Sequence, residues 1–153
     1  MPNDDDRFLR ISRRFEAAPE RVFDAWLDPA MVRRWLFTMP TDEAYTAELD
    51  ARVGGQWRIT ARRDGIDYTA SGEYLQIDRP RRLAFTFEML QFSPNTDRVT
   101  VDIAPDGDGC VLTLTQKGVD IAEELRQLPA DTAGDSEAGW RLMFDALQAL
   151  LSR

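Results

Sequence analysis

The sequence predicts an α+β domain in which a seven-stranded antiparallel sheet packs against a long C-terminal helix. Apolar and polar residues alternate in seven short segments, the pattern of strands with one buried face. A wide apolar stripe with helical spacing runs along the last segment, DSEAGWRLMFDALQALLSR. Only short links separate the last six strand segments, which favours an antiparallel meander.

The chain begins with one strand and two short helices. The segment FLRISRRF, residues 8–15, alternates and is interpreted as the first strand. Pro19 and Pro29 each suit the first position of a helix. Apolar residues then recur with helical spacing after each proline, so we expect helices over residues 18–27 and 28–36.

Six further strands are expected after residue 44, where the apolar period changes to two. The turn signals between them include Asp64-Gly65, a strong hairpin dipeptide, and Pro80 in the segment DRPR. The predicted strands cover residues 45–52, 56–62, 66–77, 82–89, 97–104 and 110–117.

Three glycines in this region have different interpretations. Gly54 and Gly55 lie between two strands with no helix after them, so they are unsuited to a phosphate-binding loop. We expect them to form a hairpin corner that uses positive φ angles. Gly72 falls inside a strand and indicates a bulge or a sharp coil of the sheet.

The C-terminal region predicts two helices. The segment VDIAEELRQLPAD is expected to form a short helix that stops before Pro129. Asp135 or Ser136 could cap the longer helix that follows. Its apolar stripe, which should cover the open face of the sheet, comprises Trp140, Met143, Phe144, Leu147, Leu150 and Leu151.

Length and composition restrict the class of protein. The 153 residues suit one domain, here residues 8–153, preceded by an acidic tail over residues 1–7. A net charge of −8 opposes non-specific binding to nucleic acid or anionic lipid. No apolar run is long enough for a membrane helix and the acidic start is no signal peptide, so we expect a cytoplasmic protein.

The side-chain inventory excludes several kinds of site. The chain contains no histidine, which removes Ser-His-Asp and Cys-His catalysis and histidine metal sites. Cys110 is the only cysteine, so an intrachain disulfide is impossible, and its apolar setting predicts burial. We therefore expect no metal and no cofactor, and no residue is assigned a catalytic role.

Five segments, taken in order between residues 8 and 152, carry a family resemblance. They are RRFEAAPERVFDAWLDPAMVRRW, ARVGGQWRI, GEYLQIDRPRRLAFTF, VTVDIAPDGDGCVLTL and GWRLMFDALQALL. Together they resemble the activator of heat-shock protein 90 ATPase homologue family of the START-like (SRPBCC, Bet v-like) superfamily. The resemblance implies a helix-grip fold, in which a strongly curved antiparallel sheet wraps around the C-terminal helix with a cavity between them.

Most of the family's motif positions are structural rather than catalytic. One departure is Cys110, where the family usually has threonine, and this change should affect packing more than activity. The positions that match are Pro19, Trp35, Gly54, Gly55, Trp57, Gly72, Tyr74, Pro80, Gly109, Gly139 and Trp140.

Large apolar residues could line the space between sheet and helix. Aromatic walls with a few polar groups are typical of small-molecule pockets, and the alternative is a packed core without a useful void. The candidate ligand-binding residues are Trp35, Trp57, Tyr74, Phe85, Phe87, Met89, Trp140 and Phe144.

Polar groups near these residues are few. The Tyr74 phenol could donate a hydrogen bond to a ligand oxygen. Glu48, Asp50 and Glu73 are the nearest carboxylates, although on alternating strands such groups more often face water. No spacing in the sequence fixes two carboxylates at a defined separation, so the indication of an enzyme is weak.

Three functional hypotheses follow. The first is a START-like protein, monomeric or homodimeric, that holds a hydrophobic or aromatic small molecule between the C-terminal helix and the sheet. The second, implied by the family resemblance, is a co-chaperone-like modulator of a heat-shock protein 90 ATPase. The third is a cyclase- or dehydratase-like enzyme that uses Tyr74 and a pocket carboxylate.

Overall fold

The computed structural model describes residues 7–152, so residues 1–6 of the expected acidic tail lie outside the described part of the chain. The strands and helices follow the predicted order. They are β1 (Phe8–Phe15), α1 (Pro19–Asp24), α2 (Pro29–Val32), β2 (Ala44–Leu49), β3 (Gln56–Arg63), β4 (Ile66–Asp78), β5 (Arg82–Phe87), β6 (Asp97–Asp106), β7 (Gly109–Lys117), α3 (Val119–Gln127) and α4 (Asp135–Leu151).

All strands belong to one curved antiparallel sheet with the order β1-β7-β6-β5-β4-β3-β2. The meander expected for the last six strands is therefore confirmed. The first strand pairs with the last, with Ile11 opposite Leu114. Alternate residues of β1 and β7 are buried, which gives the sheet one apolar face. Cys110 lies buried in β7, as its setting predicts.

The long helix α4 covers the apolar face of the sheet, so the predicted helix-grip fold is confirmed. Trp140, Phe144, Leu147 and Leu151 are its buried residues, at the helical spacing seen in the sequence. The Phe144 ring meets the ring of Phe15 on β1 edge to face, with centroids 6.2 Å apart. No helix within residues 7–152 is both long enough and apolar enough to cross a membrane.

Both N-terminal helices are shorter than predicted. Each starts at its proline, and the Asp28 carboxylate caps α2 by accepting a hydrogen bond from the Ala30 N–H. The chain after α1 tightens into i to i−3 hydrogen bonds, the first from the Trp26 N–H to the Phe23 carbonyl. The apolar stripe therefore continues through turns rather than through regular helix.

The predicted cap of α4 is wrong. Neither Asp135 nor Ser136 is the N-cap residue, which is Gly134. A side chain from α3 acts in its place, because Glu124 accepts hydrogen bonds from the Ser136 hydroxyl at 2.8 Å and from the Ser136 N–H at 3.2 Å. The carboxylate also places negative charge at the N-terminus of α4, where the helix dipole favours it.

Gly54 and Gly55 form the predicted corner, but only Gly54 has the positive φ angle expected for both. Gly54 has a φ of 86°, the left-handed conformation that glycine adopts at low cost. Gly55 is required for space, since a Cβ there would lie 2.1 Å from the Asp50 carbonyl oxygen. The corner also fixes β4, because the Gly54 N–H donates to the Tyr74 carbonyl and the Tyr74 N–H donates to the Gly55 carbonyl.

The expected irregularity of β4 lies close to Gly72 rather than at it. The register with β5 shifts between Tyr74 and Gln76. At Gly72 the strand lies close against the backbone of Thr86 on β5, and the Trp57 indole packs at the same point, where its Nε1–H donates to the Thr86 carbonyl at 3.1 Å. A side chain at position 72 would occupy the same space, so the glycine permits this close approach.

Candidate ligand-binding site

The space between α4 and the curved sheet is filled almost completely by aromatic rings. It contains a small cavity of about 10 Å³, which is about the room needed for one water molecule. The cavity that the family resemblance implies is therefore present, with room for about one water molecule. The residues that line the cavity are Trp26, Leu36, Phe37, Leu49, Trp57, Ile59, Tyr74, Leu83 and Phe85.

The eight residues predicted to bind ligand fall into three groups. Trp57, Tyr74 and Phe85 line the cavity. Phe87 and Met89 lie outside it and line an open groove of about 540 Å³. The other three are buried in the packing around the cavity; they are Trp35, Trp140 and Phe144.

Phe37 is half-buried, lines the cavity and was missed by the sequence analysis. Its ring is parallel to the Trp57 indole within 4° at a centroid distance of 5.8 Å, and it stacks on Phe87 at 5.3 Å. It also contacts the Trp140 ring at 5.6 Å. An aromatic side chain from outside the strands and helices thus packs among the rings between α4 and the sheet.

The backbone of Phe37 is strained. Its φ is 52°, a left-handed conformation that costs a bulky residue on the order of 1–3 kcal/mol. The surrounding contacts hold it there: the Phe37 N–H donates to the Met143 sulfur at 3.1 Å, and Tyr45 anchors the preceding residue by donating to the Leu36 carbonyl at 2.8 Å. Phe37 is therefore held in place by tertiary contacts against its own preference.

Phe37 begins a connecting segment, residues 37–43, that we call the strap. Asp42 closes the strap on itself by accepting hydrogen bonds from the Met39 N–H and the Thr38 hydroxyl. The same carboxylate pairs with Arg63 on β3, and only 5% of the Asp42 side chain is exposed. This ion pair fastens the strap to the sheet.

Burial alone would raise the pKa of the Asp42 carboxyl, but the hydrogen bonds from Arg63, Met39 and Thr38 outweigh burial and hold the pKa below its ordinary value. We therefore expect Asp42→Asn to lower the free energy of unfolding by about 1–2 kcal/mol at pH 7. Because the pKa of Asp42 is lower in the folded protein than its unfolded value of about 3.9, the ionised carboxylate stabilises the folded protein fully at pH values above 3.9. This stabilisation is lost as the pH falls through the folded-state pKa.

Urea unfolding of both proteins at pH 7 and at about pH 3 measures this effect. The matched control is Asp67→Asn, because Asp67 pairs with the neighbouring Arg62 at 3.3 Å but is more than half exposed. Asp67→Asn should lower the free energy of unfolding by less than about 0.5 kcal/mol at both pH values. Equal costs for the two variants, or a difference that does not shrink at low pH, would contradict the role given to Asp42.

Tyr74 contributes a hydroxyl that stays protonated. Burial, with a smaller contribution from the charge of Asp50, raises the pKa of the Tyr74 phenol well above its ordinary value. The candidate carboxylates Glu48, Asp50 and Glu73 are all exposed, in agreement with the solvated interpretation. Tyr74 can therefore donate a hydrogen bond within the site, and none of the three carboxylates is buried beside it.

The open groove adjoins the aromatic cluster through Phe87, which stacks on Phe37 and also lines the groove. At the groove a buried chain of hydrogen bonds anchors α4. The Trp140 Nε1–H donates to Gln116, and Gln116 donates to Asp97, both at 2.9 Å. Burial raises the pKa of the Asp97 carboxyl, although the Gln116 amide partly offsets this.

The fold and this arrangement agree with the comparison to protein families. The family described as "Activator of Hsp90 ATPase homolog 1-like protein" matches residues 16–152. The chain belongs to this family. The helix-grip fold of this AHSA1-like chain is the START-like fold, which at the level of the family is a ligand-binding one. None of the curated proteins is significantly similar to the chain.

Several solved structures share the fold of the AHSA1-like chain. Protein CV1439 from Chromobacterium violaceum is 27% identical, with a TM-score of 0.76 over 95% of this chain and 97% of its own. Protein Ms6760 from Mycobacterium smegmatis is 23% identical, with a TM-score of 0.77 over 98% and 94% of the two chains. CalU16 from Micromonospora echinospora is 24% identical, with a TM-score of 0.66 over 95% and 76%.

Proposed function

We propose that this AHSA1-like protein binds a small aromatic molecule between α4 and the curved sheet. The observation that carries the proposal is the position of Phe37. Its ring lies parallel to Trp57 and against Phe87, yet it comes from the strap and not from a strand or helix of the core. An aromatic ligand that displaced this ring would stack on the same surfaces of Trp57 and Phe87.

The energy balance of this exchange supports the proposal. Phe37 is half-buried, and removing its phenyl ring would open room on the scale of the engineered apolar cavities of about 150 Å³ that bind benzene. The ligand would replace the stacking lost by Phe37, and release of the residue would relieve its left-handed backbone conformation. The main cost is detachment of Phe37 from its neighbours, so affinity depends on how well the ligand fills the vacated space.

A route from solvent supports it as well. Phe87 is half-buried and separates the Phe37 ring from the open groove. A ligand in the groove would therefore contact the aromatic cluster at Phe87, whose ring centroid lies 6.4 Å from that of Trp57. Apolar pockets of this kind, with few polar groups, are the usual form of small-molecule sites.

The test is a titration of the wild-type protein and of Phe37→Ala with toluene, followed by ¹H–¹⁵N NMR. We expect saturable shifts of the Trp57 indole N–H in both proteins. Phe37→Ala should bind toluene about tenfold more tightly or better, because no ring has to be displaced.

The matched control is Phe92→Ala. Phe92, like Phe37, is a phenylalanine in a connecting segment, and its ring stacks on Tyr68. Its side chain is largely exposed and lies outside the cavity. Its affinity for toluene should equal that of the wild type. If the wild-type protein shows no saturable shift at Trp57 up to the solubility of toluene, the proposed function is wrong.

A further inference from the structure

Trp26 has an indole N–H without a hydrogen-bond partner. The side chain is 2% exposed, and its Nε1 atom contacts no acceptor among the described residues. Its ring lines the central cavity together with Phe37 and Trp57. Buried N–H groups in native proteins are nearly always paired, so this exception needs an explanation.

The other three tryptophans show that the fold can satisfy such groups. The Nε1–H of Trp35 donates to the Ala25 carbonyl at 2.9 Å, and that of Trp57 donates to Thr86. The Nε1–H of Trp140 donates to Gln116. All four tryptophans of the chain lie within the described residues, and Trp26 is the one whose indole N–H has no partner. Trp26 lines the cavity, as Trp57 does, but Trp57 has an acceptor beside its N–H.

We infer that the ligand carries a neutral oxygen acceptor, such as a ketone or aldehyde carbonyl next to its aromatic ring, and that Trp26 Nε1–H donates to it. This inference rests on the proposed function and names the class of molecule that the same site takes. Tyr74 also lines the cavity, and its hydroxyl is a second donor for the same oxygen.

The charges around the cavity favour a neutral acceptor over an anion. No lysine or arginine is among the residues that line it. The charge of Asp50 acts on Tyr74 and would oppose a second negative charge nearby. A buried carboxylate without a cation is costly, whereas a carbonyl needs only the donors already present.

Acetophenone and α-methylstyrene form a matched pair of probes, because they have nearly the same shape and differ in C=O against C=CH₂. Their association constants are measured by NMR in Phe37→Ala and in Phe37→Ala/Trp26→Phe. Water solvates the ketone better, so the ketone-to-alkene ratio is compared between proteins. We expect Trp26→Phe to lower this ratio about tenfold, the effect of one hydrogen bond to an otherwise unpaired buried donor.

The control is Phe37→Ala/Trp35→Phe, which removes an indole N–H that already has a partner and should leave the ratio within about twofold. Acetophenone should also move the Trp26 indole N–H signal downfield, whereas α-methylstyrene should not. If Phe37→Ala does not fold, Phe37→Leu carries the same comparison.

The two proposals fail differently. If both probes bind inside Phe37→Ala but Trp26→Phe leaves the ratio unchanged, or the Trp26 signal does not respond to the ketone, the inference about the acceptor is overturned while aromatic binding stands. If neither probe shifts the Trp57 or Trp26 signals in any variant, the proposed function fails and the inference fails with it.

Discussion

Replacing Phe144 with alanine is expected to lower the free energy of unfolding by about 4 kcal/mol. The ring is fully buried and contacts Phe15 at 6.2 Å, Trp26 at 6.3 Å and Trp140 at 6.0 Å. Truncation of a buried phenylalanine costs about 3–5 kcal/mol, through lost transfer energy and the cavity left behind. Because Phe144 packs α4 against Phe15 of β1, the substitution weakens the attachment of the helix to the sheet.

Equilibrium urea unfolding at constant pH measures this effect. Leu142→Ala is the matched control, because Leu142 lies on the same helix but is 64% exposed. It should change the free energy of unfolding by no more than about 0.5 kcal/mol. A cost below about 1 kcal/mol for Phe144→Ala would mean that α4 does not depend on its aromatic face for attachment.

Gly72→Ala is expected to cost about 3 kcal/mol or more. A Cβ at this position would lie 1.8 Å from the Thr86 carbonyl oxygen and 2.7 Å from the Trp57 Nε1 atom. The backbone of β5 cannot yield as a flexible side chain would, so either β4 and β5 separate or the Trp57–Thr86 hydrogen bond breaks. Both outcomes also displace the indole on which Phe37 stacks.

The opposite sign is expected for Gly139→Ala. Gly139 lies inside α4, and a Cβ there would meet no atom within 4 Å. Alanine is a better helix former than glycine, so this variant should be more stable by about 0.5–1 kcal/mol. Thermal and urea unfolding of the two variants should therefore move in opposite directions, and a similar loss for both would refute the close approach inferred at Gly72.

The architecture could be predicted from the sequence because its signals are local. The alternation in FLRISRRF and the helical stripe from Trp140 to Leu151 depend on neighbours a few positions apart. Short links then leave few ways to order the strands. Element ends were less accurate where long-range contacts decide them, as at α4, whose first turn is completed by Glu124 from α3.

The candidate site could be predicted only in part. Trp57, Tyr74 and Phe85 line the cavity because they occupy inward-facing strand positions, which the alternation of the strands predicts. Phe37 directly follows an apolar helical stripe, and nothing about a phenylalanine in the sequence signals a left-handed backbone. Trp26 lies in the apolar helical stripe that follows Pro19, and no sequence pattern indicates that its N–H is unpaired.

By itself, the sequence determined a seven-stranded sheet covered by a C-terminal helix, with an aromatic interior and no histidine chemistry. The tertiary structure decided how that interior is used: Phe37 enters it from the strap, and Trp26 is left without an acceptor. The physical reason is the range of the interactions. The apolar period depends on residues that are close together in the sequence. The filling of a cavity and the pairing of a buried N–H depend instead on atoms from strands and helices far apart in the chain.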